Sequence, residues 1–476
     1  MERAFAAGIR VFARIAETLG NLKPFTILVI GWAGLLVYAY PGYMSYDSVL
    51  QLTEGRAGVY TDWHPPAMAA LWRLVDSVVP GPFGMLLIQS TSFLAGAFLL
   101  MRRVMSARAA AACAGLLLWF PAVSSTMAVI WKDSQMAGFL LLGIALMLSD
   151  RRRIKLTGLG FLLLGSMMRH NAFTATFPPV VLLFVWSANH GWLKRHAISI
   201  AIWLTITLSA QIFSGILTDK PQHLWHRSLA LIDIVGTLSY ADPIPDAELN
   251  AIFEGTPIVA KDDLQARARR AYNPEWAMDV VWSEPRRLFT EPTTAEQRNA
   301  ITRAWKKIVF GNPGAYLSYR AEVFRTLIQL SDKPLGSAIY IWFTDIQDLQ
   351  GSAQRLEHNA SASKIQAAMQ EGMVWLGTTW LFKPYMYLFL ALALLVFCRR
   401  DRYVFALLAS GLTSEAALFI IGPTADFRYS FWLVISTVMV SMILIAKRTG
   451  ARPSKQADRH PDQDDHDHPV VVSEVG

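Results

Sequence analysis

Apolar segments of roughly 15 to 20 residues alternate with short polar connections along most of the chain, and about 20 such residues let a helix cross a bilayer. We count about ten segments of this kind, and they predict an all-α polytopic membrane protein with interfacial helices outside the bilayer. The predicted spans are 25–40, 82–101, 109–123, 135–149, 154–168, 172–187, 197–217, 376–398, 403–421 and 429–446.

The positive charges between the spans predict which loops share a side of the membrane. Lysine and arginine cluster in alternate connections, as in 151–155 and 399–402, whereas the intervening short connections carry scattered single cations. Cytoplasmic loops of membrane proteins are enriched in lysine and arginine. We therefore expect both termini in the cytoplasm and the intervening loops on the external face.

The same pattern predicts five regions. Segment 67–79 is too short to span the bilayer and is typical of an interfacial helix. Apolar spacing over 300–309 and 315–330 favours helices in the long connection between spans seven and eight. The predicted regions are a cytoplasmic amphipathic lead-in (1–24), an N-terminal transmembrane module (25–217) with a first external loop (41–81), an external, mostly helical domain (218–375), C-terminal transmembrane helices (376–446) and a disordered cytoplasmic tail (447–476).

Composition excludes several other classes of protein. Hydrophobic residues make up 53% of the 476 positions and charged residues 17%, which excludes global disorder. Two cysteines are too few for a secreted disulfide scaffold. The net charge of +8 sits between apolar segments and forms no basic stripe, so we expect the lipid bilayer as a partner and no nucleic acid. The sequence contains no Walker A motif, which argues against ATP-driven transport.

The first external loop carries acids close to the membrane surface. Asp47 follows the first span by a few residues, and Asp62 and His64 lie further along the same loop. A carboxylate among aromatic residues at this depth is expected to have a raised pKa and to act as a general base. The structural alternative is a turn or helix-capping aspartate, because a helical pattern follows at Val49–Leu52.

Three further external loops carry acids or cations. A helix cap, an arginine at the headgroup level or an ion pair within a turn explains each of them singly. Together, the cations are expected to converge on an anionic headgroup, while the acids face an acceptor hydroxyl or a metal. The candidate residues are Lys132 and Asp133 before span four, Arg169, His170 and Asn171 between spans five and six, and Asp426 and Arg428 before the last span.

Three short motifs carry a resemblance to a known family. They are SYDS, which contains Asp47, DWHPP, which contains His64, and WKD, which contains Asp133. Their order along the external loops resembles the GT-C superfamily of membrane glycosyltransferases, in particular the bacterial protein-mannosyltransferase and aminoarabinose-transferase-like groups. The resemblance covers about residues 25–220 and, more loosely, the last three spans.

The resemblance implies that a sugar passes from a polyprenyl-phosphate-sugar lipid to a glycan, lipid or protein acceptor at the periplasmic face of a bacterial inner membrane. Asp47 is then the base, and Asp133 assists it or helps to hold a divalent metal ion where one is used. Basic residues bind the lipid phosphate. Ser48 stands where many relatives have a second acid, which leaves the cofactor, including metal dependence, unknown.

Two other functions stay open at the level of the sequence. A lipid-linked oligosaccharide polymerase or ligase would depend on paired arginines in the external loops rather than on an acid near the first span. A flippase or transporter would place charges or broken helices at mid-membrane depth. The sixth span contains one such break, the pair Pro178-Pro179.

Overall fold

The computed structural model describes residues 22–187, 189–259, 262–276, 278–331, 339–340 and 362–448. Apart from isolated bridges, every regular element in these ranges is helical, which confirms the predicted all-α class for this part of the chain. Most of the predicted lead-in 1–24 and tail 447–476 lies outside the described residues, so both stay predictions.

The N-terminal half is a series of apolar helices joined by short turns. Its helices are α1 (Pro24–Ala39), α2 (Tyr46–Ala57), α3 (Ala67–Asp76), α4 (Phe83–Arg102), α5 (Ala107–Trp119), α6 (Pro121–Met127), α7 (Lys132–Met147), α8 (Arg152–Met168), α9 (Ala172–Leu183) and α10 (Trp192–Leu217). The predicted interfacial helix at 67–79 corresponds to α3, which buries Met68 and Trp72 and leaves Leu74 exposed.

The 218–375 segment and the C-terminal part are also helical where they are described. The segment contains a π-helical turn (Trp225–Leu229), α11 (Ala230–Tyr240), α12 (Asp246–Ile252), α13 (Leu264–Ala271), α14 (Asp279–Trp282), α15 (Ala295–Gly311), α16 (Pro313–Leu327) and the start of α17 (Lys364–Gly377). After it come a 3₁₀ turn (Trp380–Phe382), α18 (Pro384–Cys398), α19 (Arg402–Ile421), a second 3₁₀ turn (Phe427–Ser430) and α20 (Phe431–Arg448). The helices predicted at 300–309 and 315–330 are confirmed as α15 and α16.

Among the described residues, four helices are long and apolar enough to cross a membrane: α4, α10, α19, and α20 together with the turn before it. The count rises to five if α5 and α6, which meet at a 70° bend, form one broken span. These helices have the length and composition of membrane-spanning segments. The prediction of ten spans is not confirmed, because helices such as α1, α9 and α18 are shorter.

Two predicted spans are interrupted by proline. Proline lacks the amide proton that a helix interior needs, and it suits the first helical position. Pro121 therefore separates α5 from α6 inside the predicted span 109–123. Pro384 likewise begins α18, so the predicted span 376–398 is wrong in its first part, where α17 ends at Gly377.

Close packing of α7 against α8 forms the centre of the N-terminal bundle. A Cβ atom on Gly158 would lie 2.8 Å from the carbonyl oxygen of Gly143, so the two glycines let the helix backbones approach each other. Small residues serve this purpose where helices pack within a membrane. The bundle core continues into α4, where Phe93 is fully buried. The 218–375 segment has a separate core around α11, where Leu231 is buried.

Candidate active site

Backbone hydrogen bonds join the first loop to the turn before α7. The Tyr43 amide donates to the Ala128 carbonyl at 3.0 Å, and the Ile130 amide donates to the Tyr43 carbonyl at 2.9 Å. The hydroxyl of Ser48, in the first turn of α2, donates to the Ile130 carbonyl at 2.8 Å. Because of these bonds, the start of α2 lies beside the start of α7.

Two buried glutamines stabilise the irregular backbone between α6 and α7. Gln89 of α4 donates its side-chain amide to the carbonyls of Met127 at 2.7 Å and Val129 at 2.9 Å. Gln135 donates to the Gln89 side-chain oxygen at 2.9 Å. Non-helical backbone inside a membrane protein needs such internal partners. Sequence reasoning missed both residues, although a side-chain amide inside an apolar span is a usable signal.

Asp47 lies in the first turn of α2 but does not cap this helix. Ser45 is the N-cap residue, and its backbone amide donates to the Ser48 hydroxyl oxygen at 3.1 Å. The alternative interpretation of Asp47 as a capping aspartate is therefore wrong. Its carboxylate is directed instead toward residues from other loops.

Three basic side chains surround the carboxylate of Asp47. Arg428 Nη1 donates to Oδ2 at 2.7 Å, and Lys132 Nζ lies 3.9 Å from the same oxygen. His64 Nε2 lies 3.5 Å from Oδ1. The side chain of Asp47 keeps 20% of its surface exposed, so the cluster is open to solvent or a ligand on one side. The structure thus brings together four residues that the sequence singled out in three separate loops.

The electrostatics of Asp47 reverse the sequence-based expectation. Burial alone would raise its pKa, but the nearby Arg428, His64 and Lys132 outweigh burial and hold the pKa of Asp47 well below its usual range. The predicted raised pKa is wrong because the distances between these loops cannot be derived from the sequence. At neutral pH Asp47 is an anion that can accept a hydrogen bond from a hydroxyl group.

His64 connects Asp47 to Lys132. Its Nδ1 lies 2.6 Å from Lys132 Nζ, and burial lowers the pKa of Lys132 to about 7. In the form in which Lys132 is protonated, Nδ1 accepts and Nε2 carries the ring proton. Burial lowers the pKa of His64, the Lys132 charge lowers it further, and Asp47 opposes both effects. The imidazole therefore favours the neutral form and presents Nε2–H toward Asp47.

A second buried ion pair, between Asp133 and Arg169, borders this cluster. Asp133 is 1% exposed, and its Oδ1 accepts from Arg169 Nη1, so its interpretation as a helix cap is wrong. The side chain of Arg169 is 11% exposed. Its guanidinium lies 5.1 Å from the Tyr429 ring, and the guanidinium of Arg428 lies 5.5 Å from the same ring. Tyr429 thus joins the two ion pairs.

The predicted turn pair of Asp426 and Arg428 is present, and it also orients Arg428. Asp426 accepts from the Arg428 amide at 3.1 Å and from Nε at 2.8 Å, which leaves Nη1 directed at Asp47. The Trp131 ring lies 4.7 Å from the guanidinium, and its Nε1 donates to Ser45 at 2.6 Å. Trp131 is therefore a buried part of the site and not an interface anchor.

Three predicted residues lie at the edge of the cluster. Asp62 accepts from the backbone amide of Gln222 and so ties the first loop to the 218–375 segment. His170 is exposed, and Asn171 is the buried N-cap residue of α9. In the part of the chain that the structure describes, none of the three bonds directly to Asp47.

The donor set does not fit a metal ion. Within the described ranges, no three His, Cys, Asp or Glu side chains come close enough to share one. Asp47 and Asp133 each already pair with an arginine, so the negative charge that would attract a metal cation is neutralised.

An apolar cavity of about 680 Å³ lies between α16, α18 and α19. Its lining includes Leu392 and Ile420, both exposed at the surface of the bundle, and the buried acid Glu415. Glu415 accepts from Ser430 at 2.8 Å, at the end of the turn that carries Arg428. Sequence reasoning missed Glu415, although an acid inside an apolar span marks a candidate functional residue.

Comparisons with known proteins add little. No protein-family model and no curated protein matches the sequence. The chain is similar to one solved structure, ArnT from Cupriavidus metallidurans bound to undecaprenyl phosphate, at 13% identity and a TM-score of 0.33. The match covers 90% of this chain and 77% of that one. A likeness this distant assigns no activity to the chain.

Proposed function

We propose that this chain is a membrane-embedded glycosyltransferase. It moves a sugar from a polyprenyl-phosphate-linked donor to a glycan, lipid or protein acceptor at the periplasmic face of a bacterial inner membrane. The observation that carries the proposal is the convergence of Asp47 with His64, Lys132 and Arg428 from separate loops. The GT-C-like order of the motifs that contain Asp47, His64 and Asp133 supports it.

The cations suit the phosphate of the donor lipid. Arg428 and Arg169 each offer a planar fork of donors, and Lys132 adds a point charge. When the bond between the sugar and the phosphate breaks, negative charge accumulates on the phosphate oxygens. Fixed donors in a partly buried site stabilise such charge more strongly than water does. We assign these three residues to the leaving group.

Asp47 is assigned the acceptor hydroxyl. Its Oδ2 is held by Arg428, so we assign the proton to Oδ1, which has only the longer 3.5 Å contact with His64 Nε2. The acceptor oxygen forms a bond to the anomeric carbon, the bond from that carbon to phosphate breaks, and polyprenyl phosphate leaves with the electron pair. The hydroxyl proton passes to Asp47. The low pKa of Asp47 suits a proton transfer that occurs late, as the acceptor oxygen becomes acidic.

The apolar cavity beside Glu415 fits the lipid part of the donor. It is lined almost wholly by apolar side chains and includes residues exposed at the bundle surface. Burial of the apolar surface of a polyprenyl chain in such an environment contributes a favourable free energy of about 25 cal/mol per Å². The contact between Glu415 and Ser430 puts the cavity near the turn that carries Arg428.

A direct test compares Asp47→Asn with a matched control in the same loop. Asp76, at the end of α3, forms an ion pair with Arg56 of α2 at 2.9 Å and takes no part in the site. Asp76→Asn is therefore the control. We expect Asp47→Asn to remove sugar transfer, measured by mass spectrometry of envelope glycans and lipids, while membrane insertion is retained. Full activity in Asp47→Asn would contradict the assignment of the base.

One observation favours a second candidate, a lipid-linked oligosaccharide polymerase or ligase. The guanidinium groups of Arg169 and Arg428 both lie within 6 Å of the Tyr429 ring. This alternative function requires such a pair of arginines in the external loops. It predicts an active Asp47→Ala variant together with an inactive Arg169→Ala variant. The transferase proposal predicts that both variants lose activity.

A further inference from the structure

The loop that presents Asp426 and Arg428 is held from the 218–375 segment. Arg320 of α16 donates Nη1 to the Gly422 carbonyl at 2.9 Å. The Ala425 amide donates to the Glu275 carbonyl at 3.3 Å. Residues of the segment therefore bond to the loop only a few positions before Arg428.

Arg320 is itself fixed by a buried network. Its side chain is 2% exposed, and its Nη2 pairs with the carboxylate of Asp233 on α11. The same carboxylate accepts from the Tyr319 hydroxyl and, at 2.8 Å, from Trp305 Nε1 on α15. The guanidinium also lies 5.0 Å from the Tyr319 ring. Three helices of the segment thus set the position of one guanidinium group.

The Gly422 carbonyl is a suitable target for this charge. Gly422 is the C-cap residue of α19, where helix carbonyls lack amide partners and the helix dipole favours a cation. Arg320 therefore neutralises Asp233 through Nη2 and bonds to the end of α19 through Nη1. From that end the chain needs only six residues to reach Arg428.

We propose that Arg320 is a positioning residue for the phosphate site. Through the Gly422 carbonyl it holds the loop so that Arg428 reaches Asp47, and so the helices of the 218–375 segment set the affinity of the site for a lipid phosphate. This inference rests on the proposed function, because it takes Arg428 as a phosphate ligand. A misplacement of about 1 Å in such a group can lower a rate by about a hundredfold.

The test measures binding of undecaprenyl phosphate to the purified full chain in nanodiscs. We expect Arg428→Met and Arg320→Met each to weaken binding by about tenfold or more. Because Arg320 acts through Arg428, the double variant should bind no more weakly than Arg428→Met alone, a non-additive result. Arg325→Met is the matched control, since Arg325 lies on the same helix with 60% of its side chain exposed. It should bind like the wild type.

A second variant separates positioning from folding. Arg320→Lys keeps a charge beside Asp233 but loses the fork that also reaches Gly422. In Arg320→Lys, the backbone amides of residues 422–430 should exchange hydrogen faster than in the wild type, while the backbone amides of α11 stay protected. If Arg320→Met does not fold, the affinity and exchange of Arg320→Lys decide the question.

The outcomes distinguish the inference from the proposed function. Unchanged binding in Arg428→Met would overturn the assignment of the phosphate site itself. Weakened binding in Arg428→Met, with wild-type affinity and exchange in Arg320→Lys, would overturn only the role of Arg320. Additive losses in the double variant would also overturn it, because they would mean that Arg320 acts independently of Arg428.

Discussion

Two clusters of charged residues in this molecule contain the same residue types but differ in their exposure to solvent. In one, Asp47 faces Arg428, whose guanidinium lies 4.7 Å from the Trp131 ring. In the other, Asp233 faces Arg320 beside an aromatic ring of its own. Each pairs a carboxylate with an arginine on an aromatic face. Neither the residue types nor the contacts alone tell a binding site from a structural support.

The two clusters differ in solvent exposure and in the number of hydrogen bonds that each carboxylate accepts. The Asp47 and Arg428 side chains are 20% and 13% exposed, against 6% and 2% for Asp233 and Arg320. Asp233 accepts from three donors inside the protein, whereas Asp47 accepts from Arg428 at Oδ2 and has only His64 Nε2, 3.5 Å away, beside Oδ1. A saturated, closed cluster stabilises the fold. An open cluster, whose acid and arginine both keep part of their surface exposed, can bind a ligand.

The largest expected effect is on catalysis at the open cluster. Asp47→Asn removes the base and should lower the transfer rate by about 10²- to 10⁴-fold. Asparagine keeps the shape of the side chain, so the Tm of the purified protein should change little. A rate assay with polyprenyl-phosphate-linked sugar, run beside a thermal melt, checks both expectations. A fall in Tm that accounts for the lost rate would count against a catalytic role.

At the closed cluster the expected effect is on stability. Asp233→Ala leaves the guanidinium of Arg320 buried without its carboxylate, which should destabilise the protein by about 3–5 kcal/mol. The corresponding Asp47→Ala change should cost less, because the cations near Asp47 retain contact with water. Thermal melts of both variants in detergent check the comparison. Equal losses of stability would remove the distinction between the clusters.

The pH dependence gives a smaller, directional prediction. Arg428 favours the anionic form of Asp47, so Arg428→Met should raise the pKa of Asp47. A higher pKa means that Asp47 becomes protonated, and inactive as a base, at a higher pH. The acid limb of the kcat/KM profile should therefore move to higher pH. An unshifted acid limb in the residual activity would show that Asp47 does not set it.

The smallest effect belongs to an ion pair on the surface. Arg56 and Asp76 are partly exposed and lie away from both clusters. Asp76→Asn should change stability by about 0–1 kcal/mol and leave transfer unchanged. A large effect on transfer would extend the site along α3 beyond the residues assigned to it.

The sequence predicted which loops meet, because every second loop of a bundle of spans returns to the same side. Asp47, Lys132, Asp133, Arg169 and Arg428 were all singled out on this basis. Distances could not be predicted: Arg428 lies 381 positions from Asp47, and their contact reversed the expected direction of the pKa shift. The ten predicted spans rested on hydropathy, which does not show where a proline divides an apolar segment.

The supporting residues were harder to find. Gln89, Glu415 and Arg320 carry polar groups into helices whose patterns otherwise indicate packing. Each is explained by a carbonyl or hydroxyl from a distant element that the sequence does not place beside it. Sequence reasoning therefore found the open cluster, whose residues lie in loops or in the first turns of helices, and missed the buried network that holds it.

The most direct test of the account is the affinity for undecaprenyl phosphate of two variants that change opposite charges in one site. Wild type, Asp47→Asn and Arg428→Met are compared as purified full-length proteins in nanodiscs at one ionic strength. The account predicts that Asp47→Asn binds at least as tightly as the wild type, because it removes an anion, and that Arg428→Met binds about tenfold more weakly or worse. Equal affinities for all three proteins, or no binding by the wild type, would contradict it.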